Sequence, residues 1–309
     1  MNISTGSKPM NIAVSGASGL VGSALCPHLT QQGHKVVAIR RGDSSSYEDS
    51  IRWDPKSGLT NPGRLESIDA IVHLAGENIG EGRWNDAKKQ KIRSSRVDGT
   101  RSLVQSIAAV EKRPKVLVCA SAIGYYGNRG AMEMEESSAA GSDFLADVCE
   151  QWENEANAAM ELGVRVVNVR IGVVVSPKGG ALAKMLLPFR LGLGGIVGPG
   201  TQYWSWIGLN DLTRVLAFCI ADDSVRGPVN AVSPKSSTNR EFTKAVGSVL
   251  NRPTIIPLPG FMAKLMLGEM ATTLLLASTR VLPRQLQAHG FDFEQPDLAD
   301  CLQHELSSS

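Results

Sequence analysis

Three glycines near the start of the chain have the spacing of a phosphate-binding turn. They are Gly16, Gly19 and Gly22, in the segment GASGLVG. In such a turn the first glycine permits a tight bend, the second lets the main chain approach a pyrophosphate, and the third allows a helix to pack closely on a strand. The free N–H groups at the start of that helix can donate to phosphate oxygens. We therefore expect dinucleotide contacts from Gly16, Ser18, Gly19, Leu20, Val21 and Gly22.

Two arginines indicate which dinucleotide the turn would bind. Arg40 and Arg41 lie at the end of the second predicted strand, where a site for NAD usually has Asp or Glu to bind the ribose 2′-hydroxyl. A guanidinium instead suits a phosphate, because its planar N–H groups match two phosphate oxygens. The pair therefore predicts NADP(H) as the cofactor. The alternative is that both arginines are solvated surface residues.

The glycine motif lies between a predicted strand and a predicted helix. Residues 12–14 form a short apolar run that is typical of a buried strand, and residues 35–39 predict the next strand. Between them, Val21, Leu25 and Leu29 repeat every four residues, as on one face of a helix. This strand–helix–strand context is the one that the dinucleotide fingerprint requires. The alternative is a glycine-rich turn in a flavodoxin-like sheet that binds no dinucleotide.

Further predicted strands alternate with helices along the chain. Apolar runs at residues 69–76, 116–120 and 165–170 indicate these strands. Such alternation is typical of a doubly wound parallel sheet, in which ligands bind at the carboxyl ends of the strands. We therefore expect additional cofactor contacts at these ends, from Leu74, Ala75, Gly76, Glu77, Ala120, Arg170 and Ile171.

Composition excludes several other classes of function. The chain has 42% apolar and 20% charged residues and a net charge of +2, which gives no electrostatic case for nucleic acid or an anionic membrane. Its five cysteines are scattered without a C-x-x-C pair, which argues against zinc or another structural metal and against disulfides, and suits a reducing compartment. The first nine residues lack the apolar core of a signal peptide, so we expect a cytoplasmic protein. The apolar run at residues 263–276 predicts a helix that lies in the core or on a dimer surface. We expect the protein to be a monomer or a homodimer.

Taken together, the motifs resemble those of the extended short-chain dehydrogenase/reductase superfamily, and more narrowly its atypical epimerase family, the nucleoside-diphosphate-sugar epimerase-like proteins. The matching segments are GASGLVG (16–22), HLAGENI (73–79), GRW (82–84), SSR (94–96), SAIGYYG (121–127), QYWSWIGLNDL (202–212) and VLPRQLQAHGFDF (281–293). The resemblance implies an α/β protein with an NAD(P)-binding Rossmann fold and a smaller, mostly helical C-terminal substrate domain. The expected division is residues 10–178 plus 205–235 for the NADP-binding domain, 179–204 plus 236–309 for the substrate domain, and 1–9 as a disordered start.

The superfamily transfers protons with a Tyr-x-x-x-Lys pair. The Lys lowers the pKa of the Tyr, whose phenolate exchanges a proton with a substrate hydroxyl while hydride moves to or from nicotinamide. None of the four tyrosines of this chain has a Lys four residues later. If Glu153 matches the glutamate that usually follows the pair, Leu145 and Cys149 stand in its place, and Ala122 replaces the associated Ser or Thr. Standard tyrosine-dependent chemistry is therefore not expected.

Other side chains could transfer the proton instead. Tyr125 and Tyr126 follow a strand end beside the expected nicotinamide, and with the adjacent Ser121 they form the candidate catalytic set. The alternative is that both tyrosines are packing residues. Glu77 could act as an acid or a base if it is buried, or it could be a loop carboxylate near the ribose.

Candidate substrate contacts are the basic and aromatic residues Arg83, Trp84, Lys184, Arg190 and Trp206. Lys184 and Arg190 could bind a phosphate or carboxylate, and Trp206 could stack on a sugar or a base. Alternatively, the two cations face solvent and Trp206 fills the space between the domains. The resembling family commonly has His after its Trp-Ile pair, whereas this chain has Gly208, which removes one polar contact.

Three functions stay open at this stage. The first is an NADP(H)-dependent oxidoreductase or epimerase-like enzyme that acts on a sugar nucleotide or another small polar substrate. The second is a non-catalytic NADP(H)-binding sensor or regulatory protein, for which the resemblance also allows a role in cell division. The third is a purely structural Rossmann protein, which the intact glycine motif and the paired arginines disfavour.

Overall fold

The computed structural model describes residues 8–42 and 50–307, so most of the start that we predicted to be disordered lies outside the described residues. The strands are β1 (Asn11–Ser15), β2 (Lys35–Arg40), β3 (Ile51–Asp54), β4 (Gly58–Leu59), β5 (Ala70–His73), β6 (Val116–Ala122), β7 (Glu133–Met134), β8 (Arg165–Ile171), β9 (Val173–Val175), β10 (Tyr203–Trp204), β11 (Trp206–Gly208), β12 (Gly227–Ala231), β13 (Ser237–Thr238) and β14 (Arg280–Val281). The helices are α1 (Leu20–Gln31), α2 (Asp86–Ala108), α3 (Phe144–Asn157), α4 (Gly180–Arg190), α5 (Leu209–Ala221), α6 (Asn239–Val249), α7 (Gly260–Leu267), α8 (Arg284–Ala288) and α9 (Leu298–Ser307). Short 3₁₀ turns occupy Pro62–Ser67, Ile123–Tyr126 and Ala158–Leu162.

Eight strands form one twisted sheet in the order β12-β8-β6-β5-β1-β2-β3-β4. Neighbouring strands run parallel, except for the antiparallel pair of β3 and β4. The chain continues from β1 to β2 on one side and from β5 to β6 on the other, so the strand order reverses between β1 and β5. A crevice at the carboxyl ends of two such strands is where ligands bind in doubly wound sheets. The predicted Rossmann fold with a doubly wound parallel sheet is confirmed.

Helices cover both faces of this sheet with apolar side chains. On one face α1 contributes Leu25 and Leu29, and α5 contributes Leu216, to a buried cluster with the strand residues. On the other face α2 contributes Leu103 and α3 contributes Trp152. Burial of each large apolar side chain stabilises the fold by about 1.5–3 kcal/mol. The two layers therefore hold the strand ends, and the crevice between them, in fixed positions.

A third buried cluster joins the C-terminal helices. Phe189 of α4, Phe242 of α6 and Leu302 of α9 pack there with Trp204 and Trp206. The C-terminal part of the chain is therefore mostly helical, as the resemblance implied. Trp206 packs in this cluster although we assigned its segment to the NADP-binding domain, and the domain boundaries stay a prediction.

The apolar run at residues 263–276 does not form the single helix that we predicted. Helix α7 ends at Leu267, and Gly268 follows with a φ of +63°. A glycine in a left-handed conformation is a common end of a helix, because it has no Cβ to clash. A π-helical turn at Ala271–Leu275 then completes the segment. Within the described ranges no helix has the length and apolar character needed to cross a membrane.

Candidate cofactor site

The glycine turn after β1 has the close backbone contacts that its sequence predicted. Gly16 has a φ of +69°, and a Cβ there would lie 2.9 Å from the carbonyl carbon and oxygen of Leu74. A Cβ on Gly22 would lie 2.3 Å from the carbonyl oxygen of Gly16. The amide of Gly19 donates to that same oxygen at 2.9 Å, which closes the turn. Two of the three positions therefore exclude a side chain on steric grounds.

The start of α1 can accept a ligand. Its N-cap is Gly19, and no side chain of the described residues caps the first turn. Ser18 and Gly19 are exposed, Leu20 and Val21 are half-buried, and Gly22 is buried against the turn. The open main-chain N–H groups and the positive end of the helix dipole favour an anion at this position. The turn therefore has the geometry of a pyrophosphate site.

A buried polar pair fixes the opposite wall of the crevice. The Ser15 hydroxyl accepts hydrogen bonds from the amides of Leu74 at 3.1 Å and Ala75 at 3.3 Å. It lies 2.7 Å from Nδ1 of His73, and since it already accepts two N–H groups, we assign its own proton to that nitrogen. Burial lowers the pKa of His73 to about 4, so the imidazole is neutral at pH 7. Ser15 and His73 were missed by sequence reasoning; the available signal was two polar residues in otherwise apolar strands.

Glu77 comes shortly after Leu74 and Ala75 of this wall along the chain. It accepts a hydrogen bond from Lys88 at 2.7 Å, and this bond, with the positive charges of Lys88, Lys91 and Arg41, lowers the pKa of Glu77. An ionised carboxylate cannot donate a proton, so the geometry argues against Glu77 as a general acid. In the sheet, β1 lies between β5 and β2, so Glu77 and Arg41 follow strands on either side of β1. Arg40 and Arg41 are both exposed at the end of β2.

Two of the three catalytic candidates, Ser121 and Tyr126, form hydrogen bonds within a buried network. Ser121 is buried and donates to Oε1 of Glu153 at 2.6 Å. Tyr126 is fully buried; its hydroxyl donates to Oδ1 of Asn230 at 2.6 Å and accepts from Nη1 of Arg170 at 2.9 Å. Burial raises the pKa of Tyr126 to about 12. These contacts argue against Ser121 and Tyr126 as proton donors, because both side chains are buried and hydrogen-bonded within the protein; their catalytic assignment stays a prediction.

Tyr125 differs from its neighbour. Its side chain is half-buried, and the Arg170 guanidinium carbon lies 3.5 Å from the centre of its ring. The ring of Tyr126 meets that of Tyr125 edge to face, with 5.3 Å between the ring centres. Tyr125 is therefore positioned by stacking, and of the proposed catalytic set it stays the candidate proton donor.

Arg170 is placed for structure rather than for cofactor binding. It is 3% exposed, and its guanidinium forms two hydrogen bonds of 2.8 Å with the Glu153 carboxylate. Ala120 and Ile171, which we predicted as cofactor contacts together with Arg170, lie in the core around β6 and β8. Ala120 is buried and Ile171 is half-buried. The pairing argues against a contact of the Arg170 side chain with the cofactor, and that contact stays a prediction.

Apolar side chains fill the places where the resemblance puts the catalytic Tyr and Lys. Leu145 and Cys149 are both buried on α3. A Cβ on Gly124, in the turn after β6, would lie 3.3 Å from Cβ of Leu145 and 4.0 Å from Sγ of Cys149. Burial raises the pKa of Cys149 to about 12, so the thiol does not titrate near neutral pH. Neither side chain can replace the missing acid–base pair.

The five substrate candidates separate into two groups. Trp206 is fully buried among the C-terminal helices, which favours the alternative that it fills space in the core; its role as a stacking platform stays a prediction. Trp84 is also buried, and its indole N–H donates to the Ile79 carbonyl at 2.9 Å. Arg83 donates to the Leu265 carbonyl at 2.8 Å, and Lys184 donates to the Gly80 carbonyl. Arg83, Lys184 and Arg190 are exposed. Trp84 and Lys184 thus donate to the neighbouring carbonyls of Ile79 and Gly80. The Arg83 side chain reaches Leu265 instead, and Trp206 lies in the C-terminal cluster.

One basic side chain at the crevice was not predicted as a site residue. Arg96 of α2 donates from Nη2 to the Glu77 carbonyl at 3.1 Å, and its guanidinium carbon would lie 3.3 Å from a Cβ on Gly76. Its position in the SSR segment was the available signal. Across residues 8–42 and 50–307 no group of three or more His, Cys, Asp or Glu side chains could hold a metal ion.

Comparisons with known proteins agree with this geometry. The profile of the NAD dependent epimerase/dehydratase family matches residues 12–231, and that of a domain of unknown function, DUF1731, matches residues 258–305. An epimerase family protein of Mycobacterium bovis is 42% identical over 292 residues, which cover 94% of this chain and 96% of that protein.

Two solved structures share the whole fold. The human epimerase family protein SDR39U1, crystallised with NADPH, is 35% identical with a TM-score of 0.88, and the match covers 97% of this chain and 100% of that one. A nucleoside-diphosphate sugar epimerase from Corynebacterium glutamicum is 34% identical with a TM-score of 0.80, over 97% of this chain and 59% of that one. Since the family profile covers most of the chain and relatives 34–42% identical span nearly all of it, the chain belongs to the NAD dependent epimerase/dehydratase family, as one of its atypical epimerase family members.

Proposed function

We propose that this protein binds NADPH in the crevice between β1 and β5 and acts on a small polar substrate, with a sugar nucleotide as the first class to test. The observation that carries the proposal is the uncapped start of α1 behind a sterically constrained glycine turn, with Arg40 and Arg41 exposed at the end of β2. The NADPH in the human relative supports the same cofactor.

Each part of the crevice has a defined task in this proposal. The N–H groups after Gly16 bind the pyrophosphate, and Arg40 and Arg41 bind the 2′-phosphate. The Ser15 hydroxyl holds the main chain at Leu74 and Ala75, so that the cofactor passes along a rigid wall. When bound, NADPH supplies a hydride. Tyr125 is the side chain that we assign to move the proton.

A second candidate function is an NADPH-binding sensor or regulator without catalysis, for which a role in cell division is one form. The specific observation in its favour is that Leu145 and Cys149 occupy the place of the Tyr and Lys pair, while Ser121 and Tyr126 are tied into a buried network. The two functions share the same cofactor site and differ in whether the protein converts a substrate.

Fluorescence titration of the purified protein with NADPH and with NADH tests the proposal. Arg40→Asp and Arg41→Asp should each weaken NADPH binding at least about tenfold more than NADH binding, because only NADPH has the 2′-phosphate. Lys35→Asp is the matched control, since Lys35 is exposed at the opposite end of the same strand. Equal losses for both nucleotides would remove the 2′-phosphate assignment, and no binding of either would remove the cofactor.

Substrate is sought in the same cuvette. Pooled sugar nucleotides and small carbonyl compounds are added to the NADPH complex and, separately, to the NADP+ complex while the nicotinamide absorbance is followed. Net consumption of NADPH in any pool supports the oxidoreductase. A changed sugar configuration in the NADP+ complex, without a net change in the nicotinamide, supports the epimerase, because only the oxidised cofactor can accept a hydride from the sugar and return it. Tight NADPH binding with neither change favours the sensor.

A further inference from the structure

We propose that the guanidinium of Arg96 is the binding site for an anionic group, a carboxylate or a phosphate, of a ligand in the crevice. This inference rests on the proposed function, because it assigns the chemical class of ligand to the same crevice. If the anion is the substrate's own, the substrates of this protein are acids or phosphates rather than neutral sugars or alcohols.

The first step is the position of the guanidinium. Arg96 lies in the middle of α2 and reaches the main chain just after β5, where Nη2 donates to the Glu77 carbonyl at 3.1 Å. Nη1 donates to the Ile92 carbonyl at 3.2 Å. One side of the guanidinium faces the Trp152 ring, with the guanidinium carbon 5.2 Å from the ring centre. These contacts hold the group at the carboxyl end of a central strand, where ligands bind in this fold.

The second step concerns the positive charge of Arg96, which no salt bridge balances. Glu77 pairs with Lys88 at 2.7 Å, Glu153 pairs with Arg170 at 2.8 Å, and Asp147 pairs with Arg93 at 2.5 Å. Each nearby carboxylate thus already has a cation, and no carboxylate of the described residues lies within salt-bridge distance of Arg96.

Burial lowers the pKa of Arg96, and the charge of the nearby Glu77 carboxylate offsets only part of this effect. A half-buried guanidinium that forms no salt bridge is therefore costly. A guanidinium has five N–H donors, and the two hydrogen bonds above go to neutral carbonyl oxygens. An anionic ligand would supply both the missing charge and the missing acceptors.

The third step concerns Gly76, the residue that lies beside the Arg96 guanidinium. Gly76 is exposed, and a Cβ there would lie 3.3 Å from the guanidinium carbon and from Nη2 of Arg96. Gly76 therefore packs against the guanidinium without a Cβ, and a side chain at this position would crowd the group. Cys149, where the resemblance places the missing lysine, lies one turn before Trp152 on α3, and the Arg96 guanidinium carbon lies 5.2 Å from the centre of the Trp152 ring. Helix α2 therefore brings a cation to the part of the crevice where α3 has none.

Variants of Arg96 test the proposal with simple anions as probes. Arg96→Gln removes the charge, and Arg96→Lys keeps it without the planar fork. The matched control is Arg101→Gln, on the same helix, whose guanidinium is exposed and pairs with Asp98 and Glu155. Inorganic phosphate and acetate are titrated into the free and the NADPH-loaded protein at constant ionic strength, and NADPH is titrated separately. Tryptophan fluorescence follows binding, since Trp152 lies beside the site.

We expect Arg96→Gln to lose at least about tenfold in affinity, which corresponds to a charged hydrogen bond, with a smaller loss for Arg96→Lys and none for Arg101→Gln. A loss for phosphate or acetate in the NADPH-loaded protein identifies a substrate group, and a loss for NADPH alone identifies a cofactor phosphate; both support the site. Affinities for all three probes equal to those of Arg101→Gln would overturn it. If Arg96→Gln does not fold, Gly76→Ala tests the same site, because its Cβ would crowd the guanidinium. Anion binding by the free protein is measured even if NADPH does not bind, so this proposal and the proposed function can fail separately.

Discussion

Arg170 and Glu153 form a buried, two-pronged ion pair, from Nε to Oε1 and from Nη2 to Oε2, each at 2.8 Å. Ser121 donates to the same carboxylate, and Tyr126 accepts from the same guanidinium. Two residues that the sequence suggested for catalysis thus complete the hydrogen bonding of a buried charge pair. Such pairs are stable only when their remaining donors and acceptors are satisfied. The network therefore holds β6, β8 and α3 together beneath the crevice.

Replacement of Tyr126 tests this structural role. Tyr126→Phe leaves Oδ1 of Asn230 and one N–H of Arg170 without their partner, so it should lower the free energy of unfolding by about 1–3 kcal/mol. NADPH affinity should not change. Urea unfolding and NADPH titration measure the two effects, with Tyr125→Phe as the control. Unchanged stability of Tyr126→Phe would contradict the structural role.

The buried imidazole of His73 predicts a pH dependence of stability. Its pKa falls from 6.5 to about 4 on folding, so between these values the unfolded chain binds the proton more tightly. Stability should therefore be lost as the pH falls from 6.5 towards 4, by about 3 kcal/mol from this group. His73→Asn, which can still accept from Ser15, should lack this part of the loss. Urea unfolding at pH 7 and pH 4 compares the two proteins, and an identical loss in both would contradict the assignment.

The buried carboxyl of Glu136 predicts a pH dependence of stability that is opposite in sign to that of His73. Burial raises the pKa of its carboxyl, so the folded protein prefers the protonated form, and stability is lost as the pH rises through the folded-state pKa. Glu136→Gln keeps an oxygen that can accept from the amides of Asn230 and Gln285. The variant should therefore gain stability relative to the wild type between pH 4 and pH 8. Thermal unfolding across this range measures the gain; Glu135→Gln, at an exposed neighbour, should show none.

Replacement of two glycines of the turn should affect different properties: stability for Gly22 and cofactor binding for Gly19. Gly22→Ala places a Cβ 2.3 Å from the Gly16 carbonyl oxygen, so the turn must distort and stability should fall by about 2 kcal/mol or more. Gly19→Ala meets the same oxygen at 3.3 Å, so the fold should survive while the new methyl group obstructs the pyrophosphate. Unfolding and NADPH titration of both variants separate the two losses. Equal effects of the two variants on both measurements would contradict this division of roles.

The sequence by itself determined the parts of this protein that depend on neighbours along the chain. The glycine spacing, the apolar periodicity of α1 and the alternation of strands and helices are local patterns, and they were enough to predict the Rossmann fold. The arginine pair at the end of β2 needed no more than its place after a strand to suggest NADP(H).

Only the tertiary structure decided which polar groups are open and which are committed. Tyr126 meets Asn230, 104 residues further along the chain, and Trp206 is enclosed by helices α4, α6 and α9. Arg96 remains without a carboxylate because each nearby acid pairs with another cation. Burial and charge pairing depend on distant segments that meet only in the folded chain, and residue type and spacing do not contain that information.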